Sequence, residues 1–167
     1  MVKKIEQEMG TITGVIHGAG LNSPALCRDV AWEQALAEVT PKIMGVCNIL
    51  NAIDYRPVKL FAAMNSIIGV TGMPGNAWYG FSNETMDLIL RRYQLDHPQV
   101  HIVSVAYSIW GEEGMGARMG SVNVLRQKGI DAIPSKEGIR RFTRLCLNDP
   151  GSNLVAVTAR LGGLDTL

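Results

Sequence analysis

Short apolar runs alternate along this chain with longer stretches in which apolar residues recur at helical spacing. The runs are typical of buried strands and lie at 12–17, 58–64, 100–106 and 154–158. The helical stretches lie at 3–9, 29–53, 76–95, 117–127 and 135–147. Strands and helices that alternate at this spacing form right-handed crossover units. The sequence therefore predicts an α/β fold, with a parallel sheet covered by helices on both faces.

The amino-acid composition is that of a globular protein. The 167 residues are 47% hydrophobic and 19% charged, which is ordinary for a single globular domain over 1–167. No apolar run is long enough to span a bilayer, and the N-terminal residues lack the apolar core of a signal peptide. We expect a soluble cytoplasmic protein with no membrane partner.

The charged, cysteine and histidine residues exclude two kinds of site. The net charge is +1 and basic residues occur at most in adjacent pairs, so no nucleic-acid partner is predicted. The cysteines Cys27, Cys47 and Cys146 stand among apolar residues and are predicted to be buried thiols. Neither they nor the histidines have the spacing of metal ligands, so no metal site is predicted.

Pro41 interrupts the helical stretch 29–53. An interior proline removes a backbone hydrogen bond and clashes with the preceding turn, so we expect a kink or a break near Thr40. Lys42 follows in an otherwise apolar context, K-I-M-G-V-C-N-I-L. Such a lysine either extends its ammonium group to solvent or serves a function, and the helix pattern leaves both open.

Segment 65–83 combines a strand end, a glycine-rich loop and the start of a helix. Ser66 follows the strand, and Tyr79 and Asn83 project from one face of the helix. Such positions meet at the carboxyl edge of an open parallel sheet, where ligands bind. A phenol has a pKa of about 10 and needs a nearby cation to exchange protons near neutrality, and Lys42 is the candidate. On spacing alone, ordinary helix and turn residues explain the pattern equally well.

The spacing Ser-x12-Tyr-x3-Asn, the upstream lysine and the strand-end motif H-G-A-G together resemble the short-chain dehydrogenase/reductase superfamily. Within it they resemble the ketoreductase domains of modular polyketide and fatty-acid synthases, whose H-A-A-G corresponds to 17–20 and whose K-V-x-G-x-x-N-L lysine corresponds to Lys42. Ordinary single-chain dehydrogenases carry Tyr-x3-Lys, whereas this chain has Asn83 there and its lysine upstream. The resemblance covers about 14–164 and implies a Rossmann-like fold.

The resemblance also implies a reaction, the NADPH-dependent reduction of a β-ketoacyl thioester on an acyl carrier protein. Tyr79 would protonate the carbonyl oxygen, and Ser66 would hydrogen-bond it. Lys42 would lower the pKa of Tyr79 and hold the nicotinamide ribose, and Asn83 would anchor a water molecule in a proton relay. The cofactor would also lie against His17, Gly18, Ala19, Gly20, Tyr107 and Ile109.

The sequence departs from the family's pattern at several points. No G-x-G-x-x-G motif precedes H-G-A-G, so we expect the second, catalytic half of a reductase, completed by an N-terminal half on the same or another chain. The loop usually written A-W-G-P-W is A-Y-S-I-W at 106–110. Asn22-Ser23-Pro24 and Thr71 replace the L-D-D and tryptophan markers of the two stereochemical classes, so the product's stereochemistry is not encoded by those markers.

Two other kinds of protein compete with a catalytic half. The first is a non-catalytic half-domain that supports a neighbouring synthase domain, but packing alone does not require Ser66 and Tyr79. The second is a sugar-nucleotide epimerase, which Asn83 disfavours because that group carries Tyr-x3-Lys. Half a sheet would leave an apolar flank and an open strand edge, so we also expect self-association or a partner chain.

Overall fold

The computed structural model describes residues 1–118, 120–127 and 129–160. Its helices are α1 Val2–Met9, α2 Trp32–Val39, α3 Ile43–Ala52, α4 Ile68–Thr71, α5 Ala77–Asp96, α6 Gly114–Arg118, α7 Ser121–Gln127 and α8 Ser135–Leu147. Its strands are β1 Gly14–His17, β2 Leu60–Ser66, β3 His101–Tyr107, β4 Ile130–Asp131, β5 Leu154–Val157 and β6 Ala159–Arg160.

Four strands form one parallel sheet in the order β1-β2-β3-β5. The register places Ser66 beside Tyr107 at the carboxyl ends of β2 and β3. Strands β4 and β6 pair separately and antiparallel. The predicted α/β fold with a parallel sheet is confirmed, and the carboxyl edge of the sheet carries the loops in which the candidate site residues lie.

Each face of the sheet has its own apolar core, because successive residues of a strand point to opposite sides. Phe61 and Ala63 of β2 face α3 and α5, where Met86 and Leu90 pack on them. The alternate residues face α8, and this second core comprises Ala62, Val103, Val105, Tyr107 and Ile133, with Phe142 and Leu145 packed against it. Helices therefore cover both faces, as predicted.

β1 forms one edge of the sheet. Within the described part of the chain it pairs with β2 alone. Ile16 points to the face on which α8 packs and is 64% exposed, because α8 packs against β3 rather than β1. An open strand edge and an uncovered apolar side chain thus adjoin each other.

Two sequence predictions need correction. The helix expected over 117–127 is divided into α6 and α7, because Gly120 has a φ of 68°, which a right-handed helix cannot accommodate. The predicted closing residue Lys128 and the end of the family resemblance, 161–164, lie outside the described residues. The cysteines are not buried: Cys27 is exposed on a 3-10 turn, and Cys47 and Cys146 are half-buried at the margins of the two cores.

Along the described chain, no helix combines the length and apolar character that a bilayer crossing requires.

Candidate active site

Ser66 and Tyr79 are brought together by the short helix α4, which the sequence pattern does not reveal. Ser66 ends β2, and its Oγ accepts a hydrogen bond of 3.2 Å from the Ile68 backbone N–H at the start of α4. Gly69 packs directly on α5, since a Cβ at this position would lie 2.9 Å from the Asn83 Cβ. Because α4 and α5 pack so closely, the chain reverses direction within a few residues. The first turn of α5 therefore lies beside the end of β2.

Tyr79 lies in this first turn and is 7% exposed. Burial raises the pKa of its phenol, because desolvation disfavours the charged form. The side chains of Ser66 and Asn83 act in the opposite direction, and the charge of Glu38 adds to the increase. The resemblance implies that Lys42 lowers the pKa of Tyr79, but in this structure that pKa is raised. The phenol therefore remains a proton donor near neutrality.

Lys42 lies at the kink between α2 and α3, where the sequence predicted one. Pro41 has no N–H, and the Gly45 N–H bonds to the Thr40 carbonyl oxygen at 3.0 Å, one residue beyond the usual helical spacing. The Lys42 side chain is 3% exposed, and its Nζ donates a 2.8 Å hydrogen bond to the Met64 carbonyl oxygen. The ammonium group therefore lies inside the protein at the end of β2 and does not extend to solvent.

Burial lowers the pKa of Lys42 to about 8. The desolvated amine is poorly stabilised as a cation, so it can lose a proton at a mildly alkaline pH. Gly20 lies next to it: a Cβ on Gly20 would be 3.5 Å from the Lys42 Nζ. The loop that follows β1 and the lysine thus line the same space.

Asn83 is fully buried and bonds to its own helix. Its Nδ2 donates to the Tyr79 carbonyl oxygen at 2.6 Å, while its Oδ1 has no partner among the described residues. An amide oxygen left free beside Tyr79 is available to a water molecule or a ligand. This is compatible with the relay role that the resemblance implies, which stays a prediction.

Asn65 is a site residue that the sequence reasoning missed. Its Nδ2 donates to the Asn83 carbonyl oxygen at 3.1 Å and to the Ser104 Oγ at 2.9 Å. Its Oδ1 accepts from the Ser66 N–H at 2.7 Å. One buried side chain therefore joins β2, β3 and α5 directly beneath the candidate site. The available signal was a single amide in an otherwise apolar strand.

His17 packs against the kink between α2 and α3. Its ring is buried against Gly45, where a Cβ would lie 3.1 Å from the His17 Cε1, and the backbone carbonyls of Pro41 and Lys42 face the ring. Burial, and then the Lys42 charge, lower the pKa of His17, which favours the neutral ring. The following residues 18–20 are exposed.

Tyr107 and Ile109, the other predicted cofactor contacts, have buried side chains. The Tyr107 hydroxyl donates to the Gly138 carbonyl oxygen at 3.2 Å, and its ring packs on Trp110 at 5.0 Å. Burial raises the pKa of Tyr107. Ser108 lies between them, and its buried Oγ has no partner among the described residues. The Ser108 Oγ is therefore a buried polar atom whose hydrogen-bonding capacity is left open for a ligand or a water molecule.

The residues at this edge combine an approachable backbone with polar groups, which is compatible with a ligand such as the nicotinamide end of a dinucleotide. The exposed backbone of 18–20 lets a ligand approach closely. An ammonium group has three donors, and that of Lys42 gives one to Met64. The Ser108 Oγ adds another polar group. No G-x-G-x-x-G motif for a pyrophosphate occurs in the sequence.

This chain is similar to known proteins in both sequence and structure. A family model described as the KR domain matches residues 1–112. The polyketide synthase PksN of Bacillus subtilis is 27% identical over 149 residues, which is 84% of this chain and 3% of PksN. The crystal structure of a ketoreductase domain from the bacillaene assembly line is 25% identical, with a TM-score of 0.80, over 93% of this chain and 38% of that one.

A likeness in fold alone extends to an alcohol dehydrogenase. An alcohol dehydrogenase from Thermococcus sibiricus, complexed with 5-hydroxy-NADP, is 15% identical with a TM-score of 0.74, over 95% of this chain and 67% of that one. This chain spans a small part of the synthase and less than half of the ketoreductase domain that it matches.

Proposed function

Because this chain belongs to the KR domain family, the ketoreductase domains of polyketide synthases, we propose that it delivers the proton in the NADPH-dependent reduction of a β-ketoacyl thioester carried on an acyl carrier protein. The family is one of oxidoreductases that reduce a β-keto group. The observation that carries the proposal is the convergence of Ser66, Tyr79, Asn83 and Lys42 at one edge of the sheet.

Four side chains of this chain have separate roles in the proposed reaction. Tyr79, whose pKa burial raises, gives its proton to the carbonyl oxygen of the substrate, and the Ser66 hydroxyl donates a hydrogen bond to the same oxygen. NADPH, when bound, supplies the hydride. The Lys42 ammonium, with its remaining donors, holds the ribose hydroxyls. The free Asn83 Oδ1 holds a water molecule through which Tyr79 regains its proton.

The remainder of the cofactor site belongs, in this proposal, to a complementing N-terminal half. Two features support it: the lack of a glycine-rich pyrophosphate motif in the sequence, and the open edge of β1, which pairs with β2 alone in the described part of the chain. The same edge supports self-association when the complementing half is absent. A cytoplasmic location stays a prediction.

Replacement of Tyr79 by phenylalanine tests this function. The chain is combined with its complementing half, and NADPH oxidation is followed with a β-ketoacyl thioester as substrate. Loss of a general acid lowers kcat by about 10²–10⁴-fold, so Tyr79→Phe should fall in this range. Tyr93→Phe, a change on the same helix outside the site, should keep wild-type activity. Full activity in Tyr79→Phe would contradict the proposal.

A further inference from the structure

One buried carboxylate has no part in the chemistry described so far. Glu38 is 4% exposed and, with Ala35, forms the buried face of α2. It belongs to none of the ion pairs formed by the described residues. Because a carboxylate without an ionic partner is expensive to bury, its hydrogen bonds must account for its position.

The partner of Glu38 is the backbone of the loop between β1 and α2. Its Oε1 accepts a hydrogen bond from the Ser23 N–H. One turn earlier on α2, the Gln34 Nε2 donates to the Ser23 carbonyl oxygen at 3.4 Å. Helix α2 therefore hydrogen-bonds to both the backbone N–H and the backbone carbonyl oxygen of Ser23.

The same loop is tied to the residues that start the tyrosine helix. The Asn22 Nδ2 donates to the Asn76 Oδ1 at 3.1 Å, and the Ala25 N–H donates to the Gly75 carbonyl oxygen at 2.9 Å. Asn76 directly precedes α5, which carries Tyr79 in its first turn. Segment 22–25 thus lies between α2 and the start of α5. The Glu38 charge also contributes to the raised pKa of Tyr79.

We propose that Glu38 is a positioning residue, whose carboxylate fixes segment 22–25 against the start of α5 as the wall of the substrate site beside the Tyr79 hydroxyl. The contact with substrate rests on the proposed function, whereas the fixing of the segment does not. In the proposed function the segment borders the acyl chain and not the reacting atoms, so Glu38 should act on KM for the thioester more than on kcat.

Amide hydrogen exchange of the 167-residue chain tests the fixing without any activity. Glu38→Gln keeps an oxygen that accepts from Ser23, and Glu38→Met keeps the length of the side chain without that oxygen. Because an apolar residue is tolerated where a charge was buried, Glu38→Met should fold, which circular dichroism checks. Its Ser23 amide should exchange about tenfold faster, as expected for the loss of one hydrogen bond. Glu38→Gln and the exposed control on the same helix, Glu33→Gln, should keep wild-type exchange.

An unchanged Ser23 exchange rate in Glu38→Met overturns the proposal, as does equal loss of protection in Glu38→Gln. Steady-state kinetics with the complementing half then test the link to substrate. Glu38→Met should raise KM about tenfold with kcat within about twofold, and Glu38→Gln should restore KM. A fall in kcat at unchanged KM overturns the substrate-wall role. An inactive wild-type complex contradicts the proposed function instead, and the exchange rates still decide whether Glu38 fixes the segment.

Discussion

The Lys42 Nζ donates a 2.8 Å hydrogen bond to the carbonyl oxygen of Met64, and this bond ties the kink between α2 and α3 to the end of β2. It also determines where the ammonium group is held. The cation is buried beside a strand end without a carboxylate partner among the described ion pairs. A group placed in this way opposes folding while it is charged.

This arrangement predicts a stability that rises with pH. Burial lowers the pKa of Lys42 to about 8, whereas an unfolded lysine titrates near a pKa of about 10.4. Between these values the unfolded chain binds more protons than the folded chain, so the free energy of unfolding increases with pH. Relative to Lys42→Met, the wild type should gain about 2 kcal/mol between about pH 7 and pH 9.5, measured by urea unfolding. Lys59→Met, at an exposed lysine, should follow the wild type. Parallel curves for wild type and Lys42→Met would show that the lysine is not desolvated.

Asn65 should be more important for stability than its size suggests. Asn65→Leu would leave the Ser66 N–H, the Asn83 carbonyl and the Ser104 hydroxyl without their partner. We expect a loss of about 3 kcal/mol in the free energy of unfolding, since buried polar groups lose their hydrogen bonds. Ser104→Ala, which removes one of the three contacts, should cost about 1 kcal/mol. Urea unfolding of both variants and the double variant gives the coupling, and independent, additive effects would contradict the network.

Gly138 should be sensitive to the addition of one methyl group. A Cβ on this residue would lie 2.6 Å from the ring of Trp110, which packs on Tyr107. Although alanine favours a helix by about 1 kcal/mol over glycine, Gly138→Ala should destabilise the chain by about 1–3 kcal/mol through overpacking. Thermal unfolding measures this, and a changed tryptophan emission reports the displaced ring. In a Trp110→Leu background the same change should be neutral or stabilising; an equal loss there would show that the ring is not the obstacle.

The uncovered side chain of Ile16 should promote self-association of the isolated chain. Ile16 is 64% exposed next to the open edge of β1, so Ile16→Lys places a charge where a second copy would pack. Sedimentation velocity should show concentration-dependent association for the wild type and markedly less for Ile16→Lys. Leu95→Lys, at an exposed residue near the end of α5, should behave as the wild type. A stable wild-type monomer at all concentrations would contradict this prediction.

The main strands and the long helix could be predicted because their signals are local. The apolar run at 100–106 becomes β3, and the interior Pro41 alone predicts the kink. The helix α4 could not be predicted in this way, because its four residues lie in a glycine-rich segment and its formation depends on the close packing of Gly69 on α5. Local pattern reveals an element only where the pattern itself determines the structure.

Some residues of the candidate site could also be predicted from the sequence, and others could not. Ser66, Tyr79 and Asn83 could be selected because their residue types and spacing follow a family pattern. Glu38 could not, since a glutamate on an amphipathic helix is typical of a solvated face. Here it is buried and accepts a hydrogen bond from the Ser23 N–H. The family pattern predicts cofactor contacts for His17 and Tyr107, but it does not predict that tertiary packing buries both side chains. Burial of a polar side chain is a property of its neighbours and not of its own position in the chain.

The wide turn from Thr40 to Gly45 has a consequence for how this chain can change in length. One residue rotates a helix by about 100°, so the additional residue in the turn sets the direction in which every side chain of α3 points. A single-residue deletion there would join α2 and α3 into one regular helix. The Lys42 side chain would then point away from the Met64 carbonyl oxygen. Insertions before α2 leave the direction of the α3 side chains unchanged. Related sequences should therefore tolerate gaps upstream of α2 but none between Thr40 and Gly45.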